Sequence, residues 1–320
     1  MKKSVFRIVC CALAVVATFL FYACAPDSSD EIKIFLPDGA PALTVANLFS
    51  DRQIGGRKVG LTITTGADVQ SKTLNGEADV VVCPTNMAAT LYNKGVKYKL
   101  ATANLFGLLY LVGNGEADDL FDLVGKVVYS IGKNNTPEFV FKKILTSNGI
   151  EYADRDEAQE GKVVIRYFGV GSEIVPLLKS GLARYAILGE PAVTKAGVKE
   201  LFDLQALWKE ATSLDESYPQ AGVFVKEELF ADGKFMMALL DALNANVTYI
   251  SEHSGDVASL LTANGSSDFN GTVFTADTLA RCNIRCVKAS DCKAQMTAYF
   301  EAIQSVNVGF QLPDDGFYGL

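Results

Sequence analysis

The chain has 320 residues, of which 49% are hydrophobic and 10% aromatic, and its formal net charge is −8. A hydrophobic fraction of this size is enough for a sizeable core and excludes an intrinsically disordered chain. Because the balance is acidic and no long run of Lys or Arg occurs, nucleic acid is not predicted as a partner.

The first 24 residues predict export. A basic head (Lys2, Lys3 and Arg7) precedes an apolar run that is shorter than the roughly 20 residues of a comfortable membrane span. We therefore predict a signal peptide over residues 1–23. Cys24 stands where a bacterial lipoprotein is acylated, for example with palmitate, so residues 24–30 are predicted to form a lipidated tether. An ordinary cleaved signal and an uncleaved anchor are the alternatives.

After the tether, the pattern alternates strands with helices. Each predicted strand is followed by a short polar turn and a helix, which is typical of an α/β protein. The first three strands are predicted over residues 32–36, 60–64 and 79–83, and their helices over 42–49, up to 74 and over 87–94. Extended structure is predicted over residues 97–112.

A second unit of the same plan follows. Its strands are predicted over residues 127–130, 163–168 and 183–188, with helices over 138–147, 173–180 and after 192, and an extended piece ends at residue 225. Helical patterns then occupy residues 235–252, 256–263, 276–282 and 291–304.

We therefore predict an α/β protein with two lobes, each a mixed sheet flanked by helices, joined by two crossover strands around a central cleft. Lobe 1 is predicted as residues 31–106 plus 226–320, and lobe 2 as residues 107–225.

Catalytic groups are scarce in this sequence. The one histidine, His253, is predicted at a helix end, and no motif for a catalytic nucleophile, a phosphate loop or a zinc protease occurs. We predict neither an enzyme nor a cofactor. Three cysteines, Cys282, Cys286 and Cys292, cluster near the C-terminus. In an exported protein they predict one disulfide or free thiols, and their spacing matches no common zinc site.

Polar residues and glycines recur where the predicted strands end. The ends of open α/β strands are where such sheets bind ligands, although each residue taken alone is also an ordinary helix cap. The predicted ligand-binding residues are Asp38, Gly39, Thr64, Thr65, Thr85, Asn86, Ser130, Asn134, Asn135, Thr136, Gly171, Ser172 and Glu190.

Several of these turns carry a family resemblance. The segments concerned are Pro-Asp-Gly-Ala-Pro-Ala-Leu at residues 37–43, Gly-Glu-Ala-Asp-Val at 76–80 with Pro-Thr-Asn at 84–86, Gly-Lys-Val-Val at 125–128, Leu-Lys-Ser-Gly at 178–181 and Gly-Glu-Pro-Ala at 189–192. In them the chain resembles the periplasmic solute-binding proteins of ABC transporters in the nitrate/sulfonate/taurine and thiamine-pyrimidine-precursor class.

The resemblance implies a type II periplasmic-binding-protein fold that closes on a small-molecule ligand, with hinges predicted near residues 106–113 and 220–225. It also implies a membrane permease as partner, an extracytoplasmic monomer, and a membrane lipid attached through Cys24. The alternatives are a ligand-sensing or other non-transport surface lipoprotein on the same fold and a pyrimidine-synthase-like enzyme. Planar heterocycles, nitrate and sulfonates all remain open as the ligand.

Overall fold

The computed structural model describes residues 31–214, 217–271 and 274–319. The predicted signal peptide, Cys24 and the tether over residues 24–30 lie outside the described residues. Within the described part, no helix is both long and apolar enough to cross a membrane.

Thirteen strands are described in these ranges. They are β1 (Ile32–Pro37), β2 (Gln53–Ile54), β3 (Arg57–Thr64), β4 (Val80–Pro84), β5 (Tyr98–Phe106), β6 (Leu109–Gly113), β7 (Val127–Ile131), β8 (Tyr152–Asp154), β9 (Val163–Phe168), β10 (Tyr185–Gly189), β11 (Lys199–Asp203), β12 (Pro219–Lys226) and β13 (Ile284–Lys288).

The helices of the described residues alternate with these strands in the first two thirds of the chain and dominate the last third. They are α1 (Ala40–Leu43), α2 (Ala46–Asp51), α3 (Gly66–Leu74), α4 (Thr85–Asn93), α5 (Thr136–Ser147), α6 (Gly171–Lys179), α7 (Ala192–Ala196), α8 (Leu204–Thr212), α9 (Glu227–Phe230), α10 (Gly233–Glu252), α11 (Val257–Ala263), α12 (Ala276–Arg281) and α13 (Lys293–Val306).

The first sheet has the strand order β13-β5-β12-β4-β1-β3-β2. Strands β1, β3 and β4 are parallel, while β12 runs antiparallel between β4 and β5. Strand β4 is apolar along nearly its whole length because both of its faces are covered. Val81 and Cys83 pack into one hydrophobic core, and Val80 and Val82 pack into the other.

The second sheet has the order β11-β6-β10-β7-β9-β8. Its strands β7, β9 and β10 are parallel, and β6 pairs antiparallel with β10 and β11. The prediction of two mixed sheets flanked by helices is therefore confirmed. In both sheets the turns that follow the parallel strands are the positions that bind ligands in open α/β folds.

The chain passes directly from one sheet to the other between β5 and β6, through Gly107 and Leu108. It returns between the end of α8 and the start of β12. The segment predicted as the second hinge, residues 220–225, lies inside β12, where it pairs with both β4 and β5. Strand β12 thus belongs to the first sheet from its first residue.

An aromatic cluster connects the two sheets. Trp208 of α8 packs against Tyr218 and against Tyr299 of α13, with ring centroids 5.1 and 5.8 Å apart. Tyr218 and Tyr299 stack on each other at 5.7 Å. All three rings are buried in one hydrophobic core that also receives side chains from both sheets. The apolar packing between the sheets is therefore continuous on this side.

Several local features differ from the sequence prediction, among them the short strands β2, β8 and β11, which were not predicted. The helix predicted over residues 42–49 divides into α1 and α2 around Thr44. Strand β13 lies within the cysteine-rich segment and was not predicted, because it is a half-exposed edge strand with an irregular register against β5. Of the two alternatives predicted for Cys282, Cys286 and Cys292, the structure has free thiols and not a disulfide.

Candidate functional site

The turn between β4 and α4 meets the turn between β7 and α5. The Asn86 side-chain nitrogen donates a hydrogen bond to the carbonyl oxygen of Asn134 at 3.4 Å, and the Thr136 hydroxyl donates to Asn86 Oδ1 at 3.4 Å. Asn86 and Thr136 are both buried. The first is carried by the first sheet and the second by the second sheet. The structure therefore brings predicted site residues of both units together.

The turn that contains Asn134 is fixed from behind by a buried ion network. Asn134 has a φ of 60°, and its N–H donates to the Glu138 carboxylate. Lys142 donates to Glu138 at 2.6 Å and to Asp154 at 3.0 Å. Burial alone would lower the pKa of Lys142, but these hydrogen bonds outweigh it and raise the pKa. The network holds the turn rigid and leaves Asn134 as a neutral contact.

Tyr299 completes this contact from the C-terminal helix α13. Its hydroxyl donates to the Thr136 hydroxyl at 2.9 Å, and its ring is buried. Burial raises the pKa of Tyr299, so it stays a neutral donor at physiological pH. We define Asn86, Asn134, Thr136 and Tyr299 as the amide cluster. All of its groups are uncharged.

Asp38 and Gly39, at the end of β1, are covered by the loop that follows α11. The Asp38 carboxylate accepts hydrogen bonds from the hydroxyl of Ser266, from the N–H and hydroxyl of Ser267 at 2.7 and 2.8 Å, and from the N–H of Asp268 at 3.2 Å. A Cβ placed on Gly39 would lie 3.0 Å from Asp268 Oδ2. In this structure Asp38 therefore binds a segment of its own chain.

The same loop contacts the second sheet through Lys195 of α7. The Lys195 ammonium donates to the carbonyl oxygens of Ser267 and Asp268 at 3.1 and 3.4 Å.

The two aspartates at this contact have shifted pKa values. Burial by itself would raise the pKa of Asp38, but the hydrogen bonds from Ser266 and Ser267 outweigh it, and the pKa lies below its usual value. Burial and the charge of Asp38 raise the pKa of Asp268 to about 6, against the opposing effect of Lys195.

Glu190, at the end of β10, forms the third contact between the two sides. Its side chain is fully buried, and it accepts a hydrogen bond from the Arg281 guanidinium at 2.8 Å. Arg281 also binds Glu200 at 2.7 Å and lies 4.2 Å from the centre of the Tyr110 ring. We call Glu190, Glu200 and Arg281 the charged latch. It pairs α12 with the turns of the second sheet.

The remaining predicted residues have local roles. Thr65 caps α3 by accepting from the N–H of Asp68, and the Thr64 hydroxyl donates to the Asp68 carboxylate. The buried Thr85 hydroxyl donates to the carbonyl of Pro219, and that of Ser130 to the carbonyl of its neighbour Ile131. Asn135, Gly171 and Ser172 lie at the starts of α5 and α6. Ligand contact by any of the thirteen residues stays a prediction.

Several residues of the site were not singled out from the sequence. They are Ser266, Ser267, Asp268, Lys195, Arg281 and Tyr299. The Asn-Gly-Ser-Ser-Asp stretch at residues 264–268 is a recognisable turn signal, but nothing in it points to Asp38, 228 residues away. Among residues 31–214, 217–271 and 274–319, no group of three or more His, Cys, Asp or Glu side chains is placed to hold a metal ion.

No protein-family model matches the sequence, and no curated protein matches it. Solved structures do match. One is described as an ABC transporter from Parabacteroides distasonis: the identity is 25%, the match covers 90% of this chain and 98% of that one, and the TM-score is 0.73.

Two more distant matches have binding functions in their descriptions. The periplasmic aliphatic sulphonate binding protein SsuA from Escherichia coli is 13% identical, with 91% and 92% of the two chains covered and a TM-score of 0.63. The alkanesulfonate-binding protein SsuA from Xanthomonas axonopodis pv. citri, bound to MOPS, is 13% identical, with 89% and 95% covered and a TM-score of 0.62. The resemblance predicted from the turns is thus confirmed, and the chain has the fold of ABC-importer solute-binding proteins.

Proposed function

We propose that the protein is the lipid-anchored, extracytoplasmic solute-binding component of an ABC importer, and that it captures a small organic or anionic solute between its two lobes. One observation carries the proposal. In a fold shared with solute-binding proteins, polar turns of the two sheets meet at the amide cluster, where Asn86 faces Asn134 and Thr136. The proposed division is lobe 1 over residues 31–106 and 226–320 and lobe 2 over residues 107–225, where the second range includes the crossovers and so also the residues of β12 that pair with the first sheet.

The chemistry of the amide cluster suits a polar solute that is bound without proton transfer. Amide and hydroxyl groups both donate and accept hydrogen bonds. Thr136 is also the first residue of α5, a helix of 12 residues, whose N-terminal end carries a partial positive charge. An uncharged polar solute or a single small anionic group fits these donors better than a cation does.

Solute entry requires the two sides to separate. In this structure the amide cluster is closed on itself by hydrogen bonds of 3.4 Å, which is long for this type of contact. A solute would replace these contacts with shorter ones and so favour the closed arrangement. Gly107 is the proposed pivot, because it lies in the two-residue connection between the sheets, and glycine is required there since a Cβ would lie 2.3 Å from Ser217 Oγ and 2.9 Å from the Tyr218 ring.

A thermal-shift screen tests whether the protein binds a solute at all. The panel should contain taurine, longer alkanesulfonates, nitrate, pyrimidines and riboflavin, each against a matched sodium chloride control. A solute present at about one hundred times its Kd stabilises the native state by about 2.7 kcal/mol, which is a shift of several degrees. If no member of a broad solute panel changes the melting temperature, capture of a small solute is wrong.

The membrane tether is tested separately. We propose that Cys24 is acylated after removal of residues 1–23, and that residues 24–30 keep the body close to a permease. Mass spectrometry of the mature N-terminus should find a lipid-modified Cys24. An unmodified N-terminus at another residue, or an intact chain from Met1, would show that this protein is not a lipoprotein while leaving the solute-binding proposal standing.

A further inference from the structure

A cavity of about 310 Å³ lies beside the crossover at Gly107, and no residue of the amide cluster lines it. Its walls come from β13 and α12 on one side and from β6, β11 and α8 on the other. Strand β13 pairs with the edge of β5 that faces away from β4 and β1, and β11 pairs with the edge of β6 that faces away from β10 and β7. None of the thirteen predicted ligand-binding residues lines the cavity, although Arg281 of its wall binds one of them, Glu190. We call this cavity the hinge cavity.

The charges that line the hinge cavity are mainly positive. Lys209, Arg281 and Arg285 line it together with one carboxylate, Asp203. The Asp203 carboxylate already caps α8, because it accepts hydrogen bonds from the N–H groups of Gln205 and Ala206. Arg281 is already paired with the two carboxylates of the charged latch.

The other two cations have no acidic partner among the described residues. Arg285 donates through Nε to Asn283 and lies 4.8 Å from the centre of the Phe106 ring, and Lys209 is exposed on α8. Neither forms an ion pair in the described part of the chain. Two cations without a counter-charge, beside one cavity, favour an anion there.

A buried hydroxyl adds a second, independent sign of a ligand. Ser217 lines the cavity and is only 8% exposed, yet its Oγ has no hydrogen-bond partner among the described residues. A buried hydroxyl without a partner is unfavourable, because it has lost its hydrogen bonds to water and gained none in the protein. The neighbouring Gln205 does not satisfy it, because its Oε1 already accepts from the N–H of Leu109 and the hydroxyl of Tyr218.

We propose that the hinge cavity is a second binding site, for a small organic anion with an oxyanion group and a polar body. Its oxyanion is bound by Arg285 and Lys209, and its polar body accepts the hydrogen bond from Ser217. The volume admits one compact metabolite, such as a carboxylate or a phosphate ester. Because the walls come from both sheets and from the crossover, occupancy changes the energy of separating the two sides.

The chain carries its own reporter for this site. Trp208 is the only tryptophan, and it lies on α8 between Gln205 and Lys209 of the cavity wall. Its emission should be recorded while the purified protein is titrated with citrate and with glycerol 3-phosphate at constant ionic strength. A saturable change is expected with at least one of them, and comparison of the two separates the carboxylate class from the phosphate-ester class.

Substitutions then test whether the anion binds in the hinge cavity. We expect Arg285→Gln to raise the Kd at least tenfold and Ser217→Ala to raise it several-fold. Lys288→Gln, an exposed change of the same charge on the same strand, should leave it unchanged. The Ser217→Ala variant keeps the test decisive if Arg285→Gln does not fold.

Three results would overturn the proposal. They are the absence of a saturable response to both anions, an effect of Lys288→Gln equal to that of Arg285→Gln, and anion binding that is abolished by Asn86→Ala but kept by Ser217→Ala. The last result would place the anion at the amide cluster. It would then support the proposed function while removing the second site.

Discussion

The two sides of the molecule meet in two chemically different ways. At the amide cluster the contacts are neutral and long, with hydrogen bonds of 3.4 Å between Asn86 and its partners. At the charged latch the contacts are ionic and short, 2.8 Å from Arg281 to Glu190 and 2.7 Å to Glu200. A ligand can readily replace the hydrogen bonds between neutral groups that contact each other at long distance. The buried Glu190 carboxylate does not exchange its partner so readily, because without Arg281 it would be an unpaired buried charge.

The two kinds of contact are therefore expected to have different roles. The charged latch and the loop over Asp38 set how costly it is to separate the two sides, while the amide cluster selects what is bound between them. Substitutions in the first group should therefore change stability strongly, and substitutions in the second should change stability little and affinity strongly.

The largest stability effect is expected for Arg281→Ala. It leaves the fully buried Glu190 carboxylate without its cation, which costs several kcal/mol in buried pairs. Arg281 itself is about one-third exposed, so we expect a loss of about 2–3 kcal/mol in urea unfolding.

Lys293→Ala is the matched control, since Lys293 binds Asp315 at 2.7 Å, as short as the latch, but Asp315 is 72% exposed. An exposed pair contributes about 0–1 kcal/mol. Equal losses in Arg281→Ala and Lys293→Ala would show that the charged latch is not special.

Much of the fold follows from local sequence. Strand β4 is predicted by its run of apolar residues, and the turns that follow the parallel strands are predicted by their glycines and helix-capping side chains. What joins these turns is not local. Asp38 binds Ser266 and Glu190 binds Arg281, pairs separated by 228 and 91 residues, and no periodicity or capping signal encodes such distances.

Strand β13 illustrates the same limit. Its residues lack the apolar alternation of a half-buried strand, and they form a strand because β5 offers an unpaired edge. Residues 220–225, predicted as a hinge, lie inside β12, and the sequence does not reveal this for a related reason. An extended apolar segment looks the same in sequence whether it connects two sheets or lies inside one.

A smaller and pH-dependent effect is expected for Asp268→Asn. The pKa of Asp268 is raised to about 6 in the native state, above the roughly 3.9 of an unfolded aspartate. The native state therefore binds more protons between these values, and the free energy of unfolding falls as the pH rises from about 4 to about 6. Asparagine does not ionise, so the stability of the variant lacks this pH dependence.

The variant should accordingly match the wild type near pH 4 and be more stable by about 1–2 kcal/mol at pH 7.5. Chemical unfolding at both pH values measures this difference directly. Asp291→Asn, the same change at an exposed position, provides the control. A variant less stable than the wild type at pH 7.5 would mean that the loop does not carry the repulsion between Asp268 and Asp38.

The smallest stability effect is expected for Thr136→Val. The substitution keeps the shape of the side chain and removes the hydroxyl that donates to Asn86 and accepts from Tyr299. One of these hydrogen bonds is long, so we expect a loss of about 1 kcal/mol. The melting temperature should fall by a few degrees at most, and a loss as large as that of Arg281→Ala would erase the distinction between the two contact regions.

The central claim is that a solute is bound at the amide cluster between the two sheets. Titration calorimetry with the best solute from the screen tests it most directly, on wild type, Asn86→Ala and Asn93→Ala. Asn93 lies at the far end of α4 and is exposed, so it is a matched control on the same helix. We predict that Asn86→Ala raises the Kd about tenfold or more, the equivalent of one or two hydrogen bonds, and that Asn93→Ala leaves it unchanged. Wild-type affinity in Asn86→Ala would contradict the account.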